Sequence, residues 1–243
     1  MGDYQPISKF GDHTHDNNLT APNLVVPGGP LTQWRQAHPD GDPISWVHEH
    51  ADTKDLLRRF RGGPFFVDQF SDMKAYDLHN PVYRCQYEGF AGVMYRVNMR
   101  LGSDSLGGNP HAIGNEFSVF SIDTPRSVPR TAIRPTSTMD SLKRGRGFEG
   151  IATDDKEFDK NYHVQGEDPE FARALVTPSF KQHLQSHQLT SALSFIFDGN
   201  TLSTWNWAGV LGKGGSPYLF DYMSMMIDYL VQIMYASPRE LWA

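Results

Sequence analysis

His48 and His50 are the residues in this 243-residue sequence whose types and spacing best fit metal chemistry. In His48-Glu49-His50 the imidazoles are two positions apart, so on a β-strand both would lie on the same face. Two such histidines can chelate zinc if a third ligand comes from elsewhere in the chain. The same spacing recurs at residues 13–16, in a segment without regular periodicity. We interpret both as polar segments and predict no metal site, with a small metal-dependent enzyme using His48 and His50 as the alternative.

The other residue types that could support catalysis lack the context that catalysis needs. Cys85 lies between Tyr83 and Tyr87 in a predicted strand, where no helix N-terminus would lower its thiol pKa, so we predict a buried or half-buried structural cysteine. No Gly-x-Ser-x-Gly motif is present, and the glycine-rich residues 102–114 match neither a phosphate loop nor a dinucleotide fingerprint. Carboxylates at residues 154–159 lack the spacing of a calcium loop, and they indicate a solvated strand entry. The sequence therefore predicts no catalytic residue and no cofactor.

Composition narrows the class of protein further. A hydrophobic content of 39%, including 12% aromatic residues, is enough to bury a substantial core. A net charge of −6 argues against nucleic acid as a partner, because phosphate neutralisation needs a basic surface. The single cysteine excludes an intramolecular disulfide, and the N-terminal residues lack a basic segment followed by an apolar one. We therefore predict a cytoplasmic, soluble protein.

The elements that would position these groups fall into two series. The N-terminal series begins with a short helix over residues 31–37 that Pro39 ends. Hydrophobic alternation and glycine punctuation predict the elements that follow. They are a strand at 44–50, a helix capped by Asp52 that runs to Phe60, paired strands at 75–89 and 90–101 with Gly89 at their turn, a strand at 117–121 and a short strand at 131–134.

The second series runs from Phe158 to Trp207. Phe158, Tyr162 and Val164 indicate a short strand that Gly166 closes. Two helices should follow, because Asp168-Pro169 and Thr177-Pro178 each place a capping residue before a proline. Alternating apolar residues on both sides of Asp198-Gly199-Asn200 predict a β-hairpin with its turn at Gly199 and a return strand through Trp207.

The longest predicted helix spans residues 217–235. Its polar residues recur at intervals of three and four, which forms one narrow stripe, while apolar residues cover the rest. This pattern predicts a helix that is buried nearly all round in the core or at an interface. The alternative is a membrane-attached protein held by this segment, but two aspartates near its middle would each cost about 2.5–3.5 kcal/mol in a bilayer. The stripe consists of Asp221, Ser224, Asp228 and Gln232.

These elements predict an α+β fold in which two antiparallel-sheet halves with short helices share a core, with the long buried helix at the C-terminal end. The predicted organisation is an extended arm at 1–30, a first half at 31–134, a linker at 135–147 and a second half at 148–243.

Motifs in both halves resemble uncharacterised actinobacterial proteins related to the DUF3137 group, a domain of unknown function. In the second half these are aromatic-Asp-x-x-aromatic-x-Val from Phe158, Asp-Pro-x-Phe-Ala-x-x-Leu-x-x-Pro from Asp168, and a strand with Asp-Gly-Asn-x-Leu from Asp198. In the first half they are Leu31-x-x-Trp34-x-x-x-His38 and the tyrosine-rich strands from Tyr83 to Tyr95. The resemblance spans residues 31–210 and implies a shared fold, with no catalytic residues to carry over.

Residues 1–30 have low periodicity and many Gly, Pro, Asn and Asp residues. A segment of this composition gains order by inserting scattered apolar side chains into the grooves of a partner. We therefore predict a non-catalytic binding or structural protein that engages another protein, a second copy or a different chain, as part of an assembly. No small-molecule substrate is indicated. The predicted partner-binding residues are Tyr4, Ile7, Phe10, Leu24, Val25 and Val26.

Overall fold

The computed structural model describes residues 27–50, 74–100, 115–136, 150–186, 193–207 and 219–243. Within these ranges the chain forms a six-stranded antiparallel sheet with helices, which confirms the predicted α+β class. The strands of both predicted halves belong to this one sheet. The helices are α1 Pro30–Ala37, α2 Lys156–Asn161, α3 Pro169–Leu175, α4 Pro178–Ser186 and α5 Leu219–Ala236, with a 3₁₀ helix at Arg239–Leu241. The strands are β1 Val47–Glu49, β2 Lys74–Tyr87, β3 Phe90–Arg100, β4 Asn115–Pro135, β5 Tyr162–Gly166 and β6 Phe195–Trp207.

The β2–β3 hairpin agrees with the sequence prediction. Its two turn residues, Glu88 and Gly89, have φ angles of 50° and 84°. Positive φ at both central residues suits a tight hairpin, because the backbone twist then matches the twist of the flanking strands. Tyr87 pairs with Phe90 directly across the turn. The hairpin therefore places an aromatic residue on each side of the turn.

Strand β4 is longer than predicted and joins the two halves. It pairs with β3 through residues 115–122, with β5 through residues 131–135, and with β6 along both stretches. The predicted separate strand at 131–134 was wrong: it is the end of this 21-residue strand. The register between β4 and β6 shifts between Asp123 and Thr131. The break in apolar alternation in this part of the sequence therefore corresponds to an irregularity within β4, and the strand continues beyond it.

The predicted hairpin at Gly199 was also wrong, because β6 continues through this residue and pairs with β4 on both sides of it. Gly199 has a φ of 59°, so the glycine does supply a left-handed conformation. Core residues occupy odd positions before it, at Phe195 and Phe197, and an even position after it, at Leu202. At this glycine the core-facing positions change from odd-numbered to even-numbered residues within one strand. A hairpin turn can produce the same sequence pattern, so alternation alone does not distinguish the two structures.

Helix α2 replaces the first part of the strand predicted around Phe158. The Asp155 carboxylate accepts hydrogen bonds from the backbone N–H groups of Glu157 and Phe158, at 3.1 and 3.0 Å, and so caps the helix. The strand begins only at Tyr162, whose ring stacks on Phe158 with 4.7 Å between centroids.

The caps predicted for the next two helices are confirmed. Asp168 accepts hydrogen bonds from the N–H groups at the start of α3, at 2.9 and 3.1 Å. The Thr177 hydroxyl accepts a hydrogen bond from Phe180 N–H at 3.3 Å at the start of α4. Each proline follows its capping residue, as predicted.

Helix α5 packs its apolar residues against the sheet, which confirms the prediction of a long buried C-terminal helix. Phe120 of β4 meets Tyr222 edge to face at 5.6 Å, and Ile227 lies over Gly92 of β3. The described helices include none that is both long and apolar enough to span a membrane. Four predictions fall wholly or mostly outside the described residues: the arm at 1–30, the helix at 52–60, the linker at 135–147 and the start of the long helix at residues 216–218.

Candidate protein-binding surface on helix α5

The N-terminal end of the polar stripe on α5 is held by the segment that carries α1. Arg35 of α1 donates hydrogen bonds to the Asp221 carboxylate and forms an ion pair with it. One turn further along, the fully buried Ser224 hydroxyl accepts a hydrogen bond from Trp46 Nε1 at 2.9 Å and donates one to Asp42 Oδ2 at 2.7 Å. Hydrogen bonds and one ion pair therefore connect residues 27–50 to α5.

The C-terminal end of the same stripe meets the β2–β3 hairpin. The Tyr87 hydroxyl donates a hydrogen bond to Asp228 Oδ1 at 3.2 Å, and Gln232 Nε2 donates to the same oxygen at 3.4 Å. The Tyr235 hydroxyl donates to the Glu88 carbonyl oxygen at 3.4 Å. Burial, followed by the negative charge of Asp228, raises the pKa of Tyr87 to about 12, so its hydroxyl stays a donor at neutral pH.

Large apolar side chains are exposed at both ends of this helix and on the edge strand. Phe220 is 48% exposed and Tyr235 is 57% exposed. At 3.6 residues per turn they lie on the same side of α5, within a sector of about 120° that also contains the polar stripe. Val47 of β1, at the described edge of the sheet, is 65% exposed. Val47 is paired with Arg84, whereas the neighbouring Tyr83, whose ring contacts Phe220 at 5.9 Å, points to the other face of the sheet. The side chain of Val47 therefore lies on the face of the sheet opposite α5.

The two strand histidines lie on an exposed edge. β1 is shorter than the strand predicted at 44–50, so His48 is in the strand opposite Tyr83, and His50 follows the strand end. Both side chains are exposed. In the ranges that the structure describes, no three residues of the metal-binding types come together. The structure therefore places no third ligand from a described residue beside His48.

Cys85 is buried, as predicted, against the underside of α5. Burial raises the pKa of its thiol to about 12, so the thiolate needed for nucleophilic attack is scarce at neutral pH. A Cβ atom at Gly92, the residue paired with Cys85 across the strands, would lie 2.6 Å from the sulfur. The cysteine is a packing residue between the sheet and Ile227.

The carboxylates at 154–159 have structural roles that the sequence did not show, so their assignment to a strand entry was wrong. Asp155 caps α2, and Asp159 accepts hydrogen bonds from the backbone and hydroxyl groups of Thr153. Lys181 of α4, largely buried, lies 3.4 Å from Asp155 Oδ2 and donates to Thr153 O at 3.1 Å. Its ammonium group is also 5.5 Å from the Phe158 ring centre. This lysine was missed because no local pattern distinguishes it from an exposed one.

The predicted partner-binding residues Tyr4, Ile7, Phe10, Leu24, Val25 and Val26 all lie outside the described residues. The stripe on α5 was visible in the sequence, but its partners were missed. Arg35, Asp42 and Trp46 are separated from their α5 partners by 186, 182 and 178 positions. No sequence signal links residues so far apart in a single chain.

Comparison with known proteins adds one distant structural similarity. No protein-family model and no curated protein sequence matches the chain. The fold is similar to the crystal structure of the mycobacterial trehalose monomycolate transport factor A, TtfA, with 12% identity and a TM-score of 0.40, covering 84% of this chain and 93% of that one. The resemblance to the DUF3137 group stays a prediction.

Proposed function

We propose that this protein is a non-catalytic binding or structural protein that engages another protein as part of an assembly. The observation that carries the proposal is the outer side of α5. This helix buries one side in the core and presents exposed Phe220 and Tyr235 on the other. Aromatic residues are enriched at protein interfaces, because they bury a large area at a low cost in conformational entropy.

The roles of the reactive side chains also support a binding protein. The Cys85 thiol has its pKa raised to about 12 by burial, and Lys181 is engaged with Asp155 and the Thr153 carbonyl. Each of these groups stabilises packing between elements. A nucleophile or general base would instead need a pKa near neutrality and access to substrate.

The N-terminal arm, residues 1–30, is the second contact region in this proposal. Its scattered apolar residues, from Tyr4 to Val26, suit an extended segment that fills grooves on another chain. The partner is a second copy of this chain or a different protein. We place the assembly in the cytoplasm, because a single cysteine fits a reducing compartment.

Deleting residues 1–26 tests the proposed assembly, because the described structure begins after them. We expect the shortened protein to keep its circular dichroism spectrum and nearly the same unfolding temperature, while size-exclusion light scattering shows a smaller assembly than the full chain forms. Unchanged assembly in the deletion protein would contradict a docking role for the arm. Unfolding of the deletion protein would assign the arm to the protein's own core.

A metal-dependent enzyme that uses His48 and His50 remains the alternative function. Changing both histidines to alanine should leave metal content and secondary structure unchanged, because both side chains are exposed at the edge strand. Elemental analysis of the purified protein measures this directly. Stoichiometric zinc in the parent protein, lost in the variant, would favour the enzyme and oppose the binding protein.

Membrane attachment through residues 217–235 is the other alternative. Much of this segment is buried against the sheet, including Tyr222, Met226 and Leu230, each with no exposed surface. Apolar side chains already used in the core are unavailable to lipid unless the protein unfolds. Cell fractionation tests the alternative, and recovery of the protein in the membrane pellet after a salt wash would support it.

A further inference from the structure

Five residues at the C-terminal end of α5 and the β2–β3 turn form a continuous surface, here called the acidic aromatic patch. Its members are Tyr87, Glu88, Phe90, Asp228 and Tyr235. Tyr87 is hydrogen-bonded to Asp228, and Tyr235 is hydrogen-bonded to the backbone of Glu88. The Phe90 and Tyr235 rings meet edge to face, with 6.0 Å between centroids and 73° between planes. Tyr235 and Glu88 are exposed, and the other three members are partly exposed.

The charge of this patch is not balanced by a cation from the described residues. Within those ranges, no lysine, arginine or histidine forms an ion pair with Asp228 or Glu88. Asp221, two turns earlier on the same helix, is paired with Arg35. The hydrogen bonds to Asp228 come from the neutral donors Tyr87 and Gln232. The patch therefore differs from the other end of the helix, because none of the described cations pairs with its carboxylates.

The helix itself adds to the negative potential. The aligned peptide dipoles of an α-helix place about half a negative charge at its C-terminal end, where cations are favoured. The last turn of α5 contains no basic residue. The nearest one along the chain, Arg239, lies beyond the helix in the 3₁₀ helix. Tyr235 is in the last turn, so its exposed ring is next to this end of the dipole.

The aromatic rings make the patch suitable for one kind of cation. The faces of tyrosine and phenylalanine rings attract ammonium and guanidinium groups within about 6 Å, and arginine also stacks on them. A small hydrated metal ion would instead need several converging oxygen ligands. The combination of carboxylates and rings matches a side chain that has both a charge and an apolar stem, which arginine and lysine have.

We propose that the acidic aromatic patch binds an arginine or lysine side chain presented by a partner protein. This inference rests on the proposed function and specifies the chemistry of the partner. The partner's cation lies between the Asp228 and Glu88 carboxylates, and its stem packs on the Tyr235 ring. The partner segment is therefore basic, which complements the net charge of −6.

Fluorescence anisotropy with a labelled arginine–glycine peptide tests this binding on the full chain. The same peptide with citrulline in place of arginine is the neutral control. Asp228→Asn keeps the side-chain shape and removes one charge, and we expect it to weaken binding about fivefold. Tyr235→Leu keeps an apolar side chain without the ring and should weaken binding about twofold to fivefold. The citrulline peptide should bind at least as weakly as the arginine peptide binds either variant.

Asp221→Asn is the matched control variant, because it removes the same charge from the same helix about 10 Å away. We expect it to leave peptide affinity within twofold of the parent protein. Equal weakening by Asp221→Asn and Asp228→Asn would mean a general charge effect and would overturn the proposal. Absence of peptide binding to the parent protein, or equal binding of the citrulline peptide, would also overturn it.

Two further measurements complete the test. Tetramethylammonium that displaces the peptide at a comparable concentration would assign the patch to a small quaternary amine and would overturn a protein partner. Unfolding temperatures of the variants should match the parent protein within a few degrees, so that lost binding reflects the patch. If peptide binding fails while the arm-dependent assembly persists, this inference is wrong and the proposed function stands. If the peptide binds while no assembly forms, the inference about the acidic aromatic patch is supported and the proposed assembly is wrong.

Discussion

The two ends of helix α5 have similar sequences but different surroundings. Each has an aspartate on the polar stripe and an exposed aromatic residue nearby: Asp221 with Phe220, and Asp228 with Tyr235. At the first end, Arg35 neutralises the aspartate. At the second end, Tyr87 and Gln232 supply neutral hydrogen bonds, and no cation of the described ranges forms an ion pair with the aspartate.

This difference comes from the element that packs beside each end. The segment that carries α1 brings a cation and a hydrogen-bond network through the buried Ser224, so the polar groups at the first end are paired within the protein. The β2–β3 hairpin brings aromatic side chains and a second carboxylate, Glu88. The aspartate of the stripe therefore has a cationic partner at the first end, and only neutral donors among the described residues at the second.

Ile227→Ala should have the largest effect, because this residue lies between the two ends and is fully buried over Gly92. We expect a loss of about 2–5 kcal/mol in the free energy of unfolding, from lost burial and the cavity left behind. Urea denaturation measures it. Gln232→Ala, an exposed position on the same helix, is the control, with an expected change within about 0.5 kcal/mol. Similar values for both variants would show that α5 is not anchored in the core.

Ser224→Ala tests whether the first end is closed by its buried network. The variant leaves Trp46 Nε1 without its acceptor and Asp42 without one of its donors, and we expect a loss of about 1–3 kcal/mol. A double-mutant cycle with Trp46→Phe isolates the Trp46–Ser224 hydrogen bond. If the two changes are additive, the bond contributes nothing and the first end is held by apolar packing alone.

Arg35→Ala should cost less than about 1 kcal/mol, because the Arg35 side chain is 42% exposed and surface ion pairs are weak. The effect should shrink in high salt, since mobile ions screen exposed charges. The variant also exposes an unpaired Asp221, so the first end then resembles the second. A gain in affinity for the arginine–glycine peptide in Arg35→Ala would support the comparison between the ends.

Tyr87→Phe tests the second end through pH, and its effect is the smallest at neutral pH. The pKa of Tyr87 is raised from 10.0 to about 12, so between these pH values the unfolded state loses the proton while the folded state keeps it. The contribution of Tyr87 to stability is therefore complete below pH 10 and is lost as pH rises towards 12. The stability advantage of the parent protein over Tyr87→Phe should fall across this interval. A difference that is independent of pH would contradict the raised pKa of Tyr87, which burial and then Asp228 cause.

Local signals were reliable where the physical cause was local. The helix caps Asp168 and Thr177 were predicted correctly, because a capping side chain bonds to N–H groups two or three positions away. The turn at Gly89 was correct for the same reason. Gly199 shows the limit: its positive φ follows from residue type, but whether the chain turns back or continues depends on pairing with β4.

The candidate surface could be predicted only in part. The spacing of Asp221, Ser224, Asp228 and Gln232 showed that α5 has one polar side, since helical periodicity relates residues three and four apart. Periodicity contains no information on what lies opposite that side. The role of the carboxylates at 154–159 was predicted wrongly for a related reason. Residue type alone does not distinguish an aspartate that caps a helix from one that precedes a strand.

The sequence by itself determined the α+β class, the buried helix, the buried cysteine and the capped helices, because alternation, periodicity and capping act within one or two turns of chain. Only the tertiary structure decided that β4 joins both halves into one sheet, that Arg35 lies beside Asp221, and that Glu88 lies beside Tyr235. These pairs are 186 and 147 positions apart, and the packing of the whole core brings them together. Charge balance on a surface is a property of that packing, so the grouping of Asp228 and Glu88 in the acidic aromatic patch could be identified only in the folded chain.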